Sequence, residues 1–209
     1  FDSLSYTQED VKKGQMYVNE KKRKDLKSKI SDLSDYLKIL DMKVYIAVND
    51  KDNIERISQL TQKTNQFNMT TRRYTEEQVE SFINNKNYKI YSLRLADKYG
   101  DYGVAGLVMV EKSDIWRIDN LLLSCRILGR QVEQAILAYV ADDAKKFAQQ
   151  KLIAEFIPTK RNKPARDFYS KMGFQELKND DKSFWELNLK EAPNYPKYIR
   201  IIECEPTNL

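Results

Sequence analysis

The chain has 209 residues, of which 41% are hydrophobic and 11% aromatic, so it can form a folded core and is not wholly disordered. Lysine and arginine (36) only slightly outnumber aspartate and glutamate (31), and the net charge of +5 does not by itself indicate nucleic-acid binding. The sequence contains no histidine, which excludes a Ser–His–Asp or Cys–His catalytic site and a histidine-ligated zinc ion within the chain.

Cysteine usage and hydropathy bear on the compartment. Cys125 and Cys204 are the only cysteines, which is too few for a disulfide framework and typical of a reducing, cytoplasmic environment. No apolar run approaches the roughly 20 residues that span a bilayer, and we find no signal-peptide pattern, so we expect no membrane association. Because the chain starts at Phe1 and not at methionine, we expect it to be part of a longer polypeptide.

Residues 1–40 predict a helical segment. Thr7 marks a helix start, and Leu33, Leu37 and Leu40 keep helical spacing. Between them lies the basic run EKKRKDLKSK (20–29), which is either a solvated helical face or linker, or a docking surface for an acidic partner. Aromatic residues are not interleaved with these charges, so we do not expect nucleic-acid binding.

The next part of the chain predicts a strand, two helices and three further strands. Lys43–Val48 is a short apolar strand, and the helices begin near Ile54 and Thr75. Short turns join the three later strands and make them antiparallel neighbours. These strands are Tyr88–Ala96, Val104–Val110 and Ile115–Leu123.

The stretch Gln62–Arg73 (QKTNQFNMTTRR) separates the two helices and is almost entirely polar around Phe67 and Met69. It has too few apolar residues for a buried element and too few glycines for a flexible linker. We therefore predict a surface loop, which carries either recognition groups or ordinary turn residues.

The remainder of the chain predicts two helices and three strands. A long helix with a buried face from Val132 onward leads into a buried strand, Leu152–Ile157, which is therefore parallel to Ile115–Leu123. A helix over Lys163–Met172 and a two-stranded hairpin follow, and residues 191–209 form an irregular tail or an edge segment. The sequence thus predicts an α+β domain with a mixed central sheet, one central parallel pair and flanking helices.

The stretch WRIDNLLLSCRILGRQVEQAIL (116–137) joins a strand, a short turn and a helix, and we expect the functional site there. A strand that ends at a helix N-terminus leaves backbone N–H groups that bind anions. We also expect an open gap between the parallel strands, which admits a phosphate-bearing thioester arm. The turn residues that are candidates for holding phosphate or a carbonyl oxyanion are Arg126, Leu128, Gly129, Arg130 and Gln131.

The element order and this turn resemble the Gcn5-related N-acetyltransferase (GNAT) family. That family's phosphate-binding signature, Q/R-x-x-G-x-G/A, is matched by Arg126 and Gly129. Gln131 stands where the last small residue is usual, and its side chain would crowd a pyrophosphate held against the backbone. The resemblance implies coenzyme A (CoA) or carrier-bound 4′-phosphopantetheine as the cofactor, and no metal.

A second GNAT motif, N-x-x-A-x-x-x-Y-x-x-x-G-F, is matched by Asn162, Ala165, Tyr169, Gly173 and Phe174. The resemblance implies that Asn162 contacts the cofactor arm and that Tyr169 donates a proton to the departing thiolate. The alternative for Tyr169 is an ordinary helix tyrosine packed on the sheet.

A closer resemblance covers nearly the whole chain. TQEDVKKGQMY, RISQLTQKTNQFNMTTRRYTEEQV, DKYGDYGVAGLV and IDNLLLSCRILGRQVEQAIL are similar to the C-terminal part of FkbH-like proteins, which fuse a haloacid-dehalogenase-like (HAD-like) domain to an acetyltransferase-like domain. The resemblance implies loading of a glyceryl group from 1,3-bisphosphoglycerate onto an acyl carrier protein, for methoxymalonyl-type extender units. It also implies that residues 1–40 are the junction with the HAD-like domain, 41–190 the acyltransferase domain and 191–209 a C-terminal tail.

Carrier loading would give Cys125 a role as nucleophile. A thiolate is a strong acyl acceptor at neutral pH, and we expect Arg126, Arg130 and the helix N-terminus to favour it. The alternative is a small buried residue that fills the strand–helix junction. Asp119 is a candidate base if it faces the cleft, or else a partner for Arg117.

We expect the loop between the two helices to cover the acyl group. Polar side chains there would read the hydroxyls of a glyceryl unit, which a plain acetyl group lacks. The predicted substrate-binding residues are Asn65, Gln66, Asn68, Thr70 and Arg72.

Three functions remain open at this point. The first is transfer of a glyceryl-type acyl group to the phosphopantetheine thiol of a carrier protein. The second is acetyl-CoA-dependent N-acetylation of a small amine, against which Gln131 and Cys125 count. The third is a non-catalytic module that docks the carrier protein.

Overall fold

The structure is a computed structural model that describes residues 8–177 and 183–204, with the backbone alone for residues 8–13 and Met16. Its centre is an eight-stranded mixed sheet with the strand order β6-β7-β5-β4-β3-β2-β1-β8. The strands are β1 Met42–Val48, β2 Tyr88–Asp97, β3 Gly100–Glu111, β4 Trp116–Leu123, β5 Lys151–Phe156, β6 Gln175–Leu177, β7 Ser183–Asn188 and β8 Ile199–Cys204. The predicted α+β class and mixed central sheet are confirmed.

Two strand pairs are parallel. The pair β4–β5 is the predicted central one. The pair β1–β8 was not predicted as parallel, and it turns the C-terminal segment into the edge strand of the main sheet. Residues 205–209 of the predicted tail lie outside the described residues.

Helices cover both faces of the sheet. The described α-helices are α1 Gln8–Lys29, α2 Leu33–Leu40, α3 Ile54–Lys63, α4 Glu76–Asn84, α5 Val132–Lys146 and α6 Phe168–Lys171. Core residues of α2, α5 and α6 pack on one face, and those of α3 and α4 on the other. No helix in the described ranges combines the length and the apolar character needed to cross a bilayer.

Local chemistry accounts for the differences from the predicted helices. The predicted N-terminal helix is broken in two because Asp32 caps α2, its side chain accepting from the backbone N–H of Asp35 at 3.0 Å. The predicted start at Thr7 lies outside the described residues. The helix predicted over Lys163–Met172 is a short 3₁₀ turn, Lys163–Ala165, followed by the single turn of α6.

A β-bulge in β4 determines where the site lies. Asn120 pairs with Met109 and Ile118 pairs with Val110, so Asp119 is an extra residue in β4. The pairing of β4 with β5 ends at Ile118. Beyond the bulge the two parallel strands diverge.

An ion pair attaches α1 to the sheet. The guanidinium of Arg23 donates twice to the carboxylate of Asp97, at 2.7 and 2.8 Å, and lies over the ring of Tyr102. Both charged side chains are buried. The basic helix is therefore packed onto the domain through a paired charge, while most of its lysines remain exposed.

Candidate functional site

The gap that we expected between β4 and β5 is filled by the chain itself. Residues Phe67–Thr70, which we call the gap segment, lie between the diverging strands. The backbone N–H of Met69 donates to the carbonyl oxygen of Leu121 at 3.0 Å, and the carbonyl oxygen of Met69 accepts from the N–H of Ile157 at 2.9 Å. The expectation of an open gap is therefore wrong.

The gap segment is also packed by its side chains. The N–H of Leu123 donates to the carbonyl oxygen of Phe67 at 3.0 Å, and the Phe67 ring meets the Phe168 ring edge-on. Phe67 is 7% exposed and Met69 is 0% exposed. Burial of such side chains contributes roughly 1.5–3 kcal/mol each, so the segment is an integral part of the core.

Asn162 holds the gap segment to the loop after β5. Its Nδ2 donates to the carbonyl oxygens of Asn68 and Ile157, both at 3.0 Å, and its Oδ1 accepts from the N–H of Thr159 at 2.7 Å. The side chain is fully buried. The contact with a cofactor arm that the GNAT motif implied remains a prediction, and the hydrogen bonds that Asn162 makes here are all to the protein.

Arg72 follows the gap segment and ties it to both strands. Its guanidinium donates to Asp119 at 2.6 Å and to Glu155 at 2.7 Å, and the two carboxylates are nearly buried. Burial lowers the pKa of Arg72, but the two carboxylates outweigh that effect and raise it overall. The hydroxyl of Tyr74 donates to the other oxygen of Asp119 at 2.5 Å, and burial together with this bond raises the pKa of Tyr74.

Asp119 therefore accepts hydrogen bonds from two partners and does not present a free carboxylate to a cleft. The alternative partner of Asp119 was Arg117. The guanidinium of Arg117 lies 3.9 Å from the carboxylate of Asp119 and only 3.2 Å from that of Glu155. A role for Asp119 as a base stays a prediction, and the geometry favours a role in holding Arg72.

The predicted surface loop is divided into two parts. Asn68 and Thr70, 0% and 2% exposed, are buried in the gap segment, so the expectation that they face an acyl group from the surface is wrong. The tertiary pairing with β4 overrides their polar character. Asn65 and Gln66 do reach the surface, and both line a cavity of about 400 Å³ that also contains Cys125.

Cys125 is exposed, which excludes the alternative of a small buried residue at the junction. It lies in a 3₁₀ turn, Cys125–Ile127, where two cavities meet. The expected effect of the α5 dipole is wrong, because α5 begins only at Val132 and such effects fall off within one turn. Positive side chains line both cavities.

Those positive side chains come from three elements. The cavity of about 400 Å³ is lined by Arg56 and Lys63 of α3, and a second cavity of about 230 Å³ by Lys24 and Lys27 of α1 together with Arg126. Burial lowers the pKa of Arg56, and the charge of Arg126 lowers it further, because the two guanidiniums are close together. The two cavities that Cys125 lines thus carry several cationic side chains, together with Glu20 in the second.

Arg130, one of the two arginines predicted to bind phosphate, is buried and paired within the protein. It is 7% exposed, donates to the hydroxyl of Tyr102, and lies 3.6 Å from the carboxylate of Asp97. Arg126 is half-buried and borders the second cavity, where Leu128 and Gly129 also lie. Both predicted phosphate clamps line the second cavity with Cys125, but Arg130 is buried and pairs with Asp97.

The turn before α5 has the backbone shape expected of a phosphate loop. Gly129 and Gln131 both have a positive φ, of 72° and 63°, and Gln131 precedes the first residue of α5. Gln131 adopts the left-handed conformation that a glycine would take without strain. The position that departs from the GNAT signature therefore keeps the backbone conformation and adds a side chain.

Sequence reasoning missed Glu133, which occupies this turn. Burial raises the pKa of its carboxyl, against a smaller lowering by the backbone N–H groups of Gly129 and Glu133. The oxygen Oε2 is buried without a hydrogen-bond partner in the described part of the chain. An acidic residue in the first turn of a helix, as here, was the available signal.

Tyr169 is 1% exposed and packs among Phe168, Phe174 and Trp185. Its hydroxyl is buried without a partner in the ranges that the structure covers, and burial raises its pKa. Asn120 of β4 is likewise buried, with Nδ2 unsatisfied there. The position of Tyr169 matches the alternative of a helix tyrosine packed on the sheet. Proton donation by Tyr169 stays a prediction.

The comparisons with known proteins identify the fold. No protein-family model matches the chain, and no curated protein sequence matches it. The ribosomal-protein-S18-alanine N-acetyltransferase from Escherichia coli is similar in structure at 14% identity, covering 74% of this chain and 97% of that chain, with a TM-score of 0.52. A GNAT-family acetyltransferase from Staphylococcus aureus Mu50 is similar at 14% identity, over 70% and 99% of the two chains, with a TM-score of 0.54.

A variant of the spermidine N-acetyltransferase SpeG from Vibrio cholerae is also similar, at 12% identity over 71% of this chain and 95% of that chain, with a TM-score of 0.53. The chain therefore has the GNAT acetyltransferase fold, as the sequence predicted. Identities this low establish the fold alone. Within the residues described, no cluster of acidic or cysteine side chains is arranged to hold a metal ion.

Proposed function

We propose that this domain is an acyltransferase that carries a glyceryl-type acyl group as a thioester on Cys125 and passes it to the phosphopantetheine thiol of an acyl carrier protein. The observation that supports this most strongly is that the exposed thiol of Cys125 lies where two cavities meet. The cavity of about 400 Å³, lined by Asn65 and Gln66, is called the polar cavity. The cavity of about 230 Å³, lined by Lys24, Lys27 and Arg126, is called the basic cavity. The similarity to FkbH-like proteins supports the glyceryl group and the carrier protein, and also an upstream HAD-like domain as neighbour.

The two cavities suit the two ends of such a substrate. Lys24, Lys27 and Arg126 on the basic side would attract the phosphate of a phosphopantetheine arm, and guanidinium groups bind such oxygens in a bidentate manner. Asn65 and Gln66 on the polar side would donate to the hydroxyl groups of a glyceryl unit. Cys125 lies between these groups, where the reacting carbonyl would be.

The reaction is a pair of acyl exchanges without oxidation or reduction. The thiolate of Cys125 attacks the carbonyl carbon of an acyl phosphate or acyl thioester; a C–S bond forms, and the bond to the phosphate or thiolate leaving group breaks. The carrier thiolate then attacks the same carbon and releases the Cys125 thiolate. Each attacking thiol gives its proton to solvent before it attacks.

Loading of a carrier protein tests this proposal. The chain, its Cys125→Ser variant and its Cys204→Ser variant are each incubated with glyceryl-pantetheine and an acidic holo-carrier protein, and acyl transfer is followed by mass spectrometry of the carrier. We expect transfer with the parent and with Cys204→Ser, and none with Cys125→Ser. Equal transfer by the parent and Cys125→Ser would refute a thioester on Cys125.

A further inference from the structure

We infer that the groove between β4 and β5 excludes coenzyme A, because the chain's own residues occupy both places where the cofactor would bind in a GNAT-like groove. The exclusion does not depend on whether Cys125 carries an acyl group. It separates this domain from the acetyl-CoA-dependent alternative, and it makes the gap segment and Glu133 determinants of donor specificity.

The first occupied place is the edge of β4. A pantetheine arm is an extended chain with two amide groups, and between two diverging strands it needs free backbone donors and acceptors. Here the gap segment already forms backbone hydrogen bonds of 2.9–3.0 Å with both strands. Its partners are the carbonyl of Leu121, the N–H of Leu123 and the N–H of Ile157. The segment thus makes the hydrogen bonds that an incoming amide chain would need.

The space between the strands is filled as well. Phe67 and Met69 lie there with almost no exposure. Arg72 and Asn162 fix the two sides of the segment, Arg72 through Asp119 and Glu155, and Asn162 through the carbonyl of Asn68. Entry of the arm would require this part of the core to leave.

The second occupied place is the phosphate loop. At this turn the side chain of Glu133, in the first turn of α5, brings a carboxylate whose Oε2 is buried without a hydrogen-bond partner among the described residues. Bringing in a pyrophosphate would set like charges against each other beside a largely buried carboxylate. The side chain of Gln131 adds bulk at the same turn.

Hydrogen exchange of the backbone amides tests the exclusion directly. The full chain is exchanged in deuterated buffer with and without millimolar acetyl-CoA, and exchange is followed at the amides of Met69, Leu123 and Ile157. We expect all three to be protected and unchanged by acetyl-CoA, whether or not the compound binds elsewhere on the surface. Faster exchange at Met69 with acetyl-CoA, which would show that the segment is displaced, would overturn the inference.

A calorimetric titration with acetyl-CoA measures binding directly and complements the exchange experiment. We expect no binding of acetyl-CoA to the parent chain at micromolar concentrations, and none to a Glu80→Gln control on the exposed face of α4. Micromolar binding to the parent that Glu133→Gln changes in either direction and Glu80→Gln leaves unchanged would contradict the exclusion, because it would place the pyrophosphate at the turn. Neither outcome alters the prediction of acylation at Cys125, so the two proposals fail separately.

Discussion

The backbone N–H of Met69 donates to the carbonyl oxygen of Leu121 at 3.0 Å, and this bond joins a loop between two helices to the free edge of β4. Through it the GNAT-like sheet is continued by the chain where its two central strands separate. Cys125 lies outside this closed gap, in an exposed turn.

Arg72 is expected to be essential for stability. Arg72→Ala would leave the nearly buried carboxylates of Asp119 and Glu155 with one cation fewer. We expect the free energy of unfolding to fall by about 3 kcal/mol. This is the lower end for such pairs, because Arg117 still contacts Glu155. Urea denaturation measures the loss. Arg73→Ala is the matched control, because Arg73 is exposed and bonds to Asn65, and its cost should stay below about 1 kcal/mol. Similar losses for the two variants would show that Arg72 does not hold the gap segment.

Glu133 predicts a pH dependence of a definite sign. Burial raises its folded-state pKa above the unfolded value, so folding prefers the protonated form. At pH values below the unfolded pKa the group is protonated in both states and costs nothing, whereas above the raised folded pKa the cost is fully present. Glu133→Gln should therefore be more stable than the parent at neutral pH, and the difference should shrink as the pH falls through the two pKa values.

Thermal unfolding at a series of pH values between 4 and 8 checks this sign for Glu133→Gln against Glu80→Gln. The exposed Glu80 of α4 should show no such trend. A stability difference that grows on acidification would mean that the carboxylate of Glu133 is favoured in the turn as an ion.

The two cysteines should differ in reactivity. Iodoacetamide is expected to label Cys125 faster than Cys204, because Cys125 is exposed whereas Cys204 is half-buried. Burial also raises the pKa of the Cys204 thiol, against a smaller opposing effect of Arg94. Peptide mapping over a time course gives both rates in one sample. Equal, slow labelling of both residues would remove the argument for an activated thiol.

Gln66 should affect the acyl group and not the fold. Gln66→Ala removes a donor from the polar cavity beside Cys125, and the loss of one hydrogen bond to a glyceryl hydroxyl should slow loading by about three- to tenfold. The melting temperature should not change, because the side chain is exposed. Gln150→Ala, an exposed glutamine outside both cavities, is the control, and an equal loss in the two variants would argue against substrate recognition by this loop.

The strands and long helices followed from periodicity, but the gap segment could not be predicted. The structure confirms a strand at Tyr88–Asp97 and the buried face of α5. The half-buried alternation expected of the strand is wrong, because Ile90–Leu93 are all buried. Phe67–Thr70 pairs with β4 through a single isolated bridge, which is too short to produce a period of two. Its buried state depends on β4, Arg72 and Asn162, which are distant in sequence.

The sequence predicted where the candidate site lies in the fold, but not the side-chain contacts within it. The short turn at Gly129 and the place of Cys125 beside Arg126 followed from the local motif. The pairing of Asp119 with Arg72 and the burial of the Glu133 carboxylate depend on side-chain geometry that spacing does not encode.

The most direct test of the account is peptide mapping by mass spectrometry after incubation of the chain with glyceryl-pantetheine and, separately, with acetyl-CoA. We predict one glyceryl adduct, on the peptide that contains Cys125, released by hydroxylamine and absent from Cys125→Ser. We predict slower formation of an acetyl adduct at that position at the same donor concentration, because an acetyl group lacks the hydroxyls that Asn65 and Gln66 would bind. An unmodified Cys125 in the first sample, or a glyceryl group found only on other residues, would contradict the role of this thiol as the acyl acceptor.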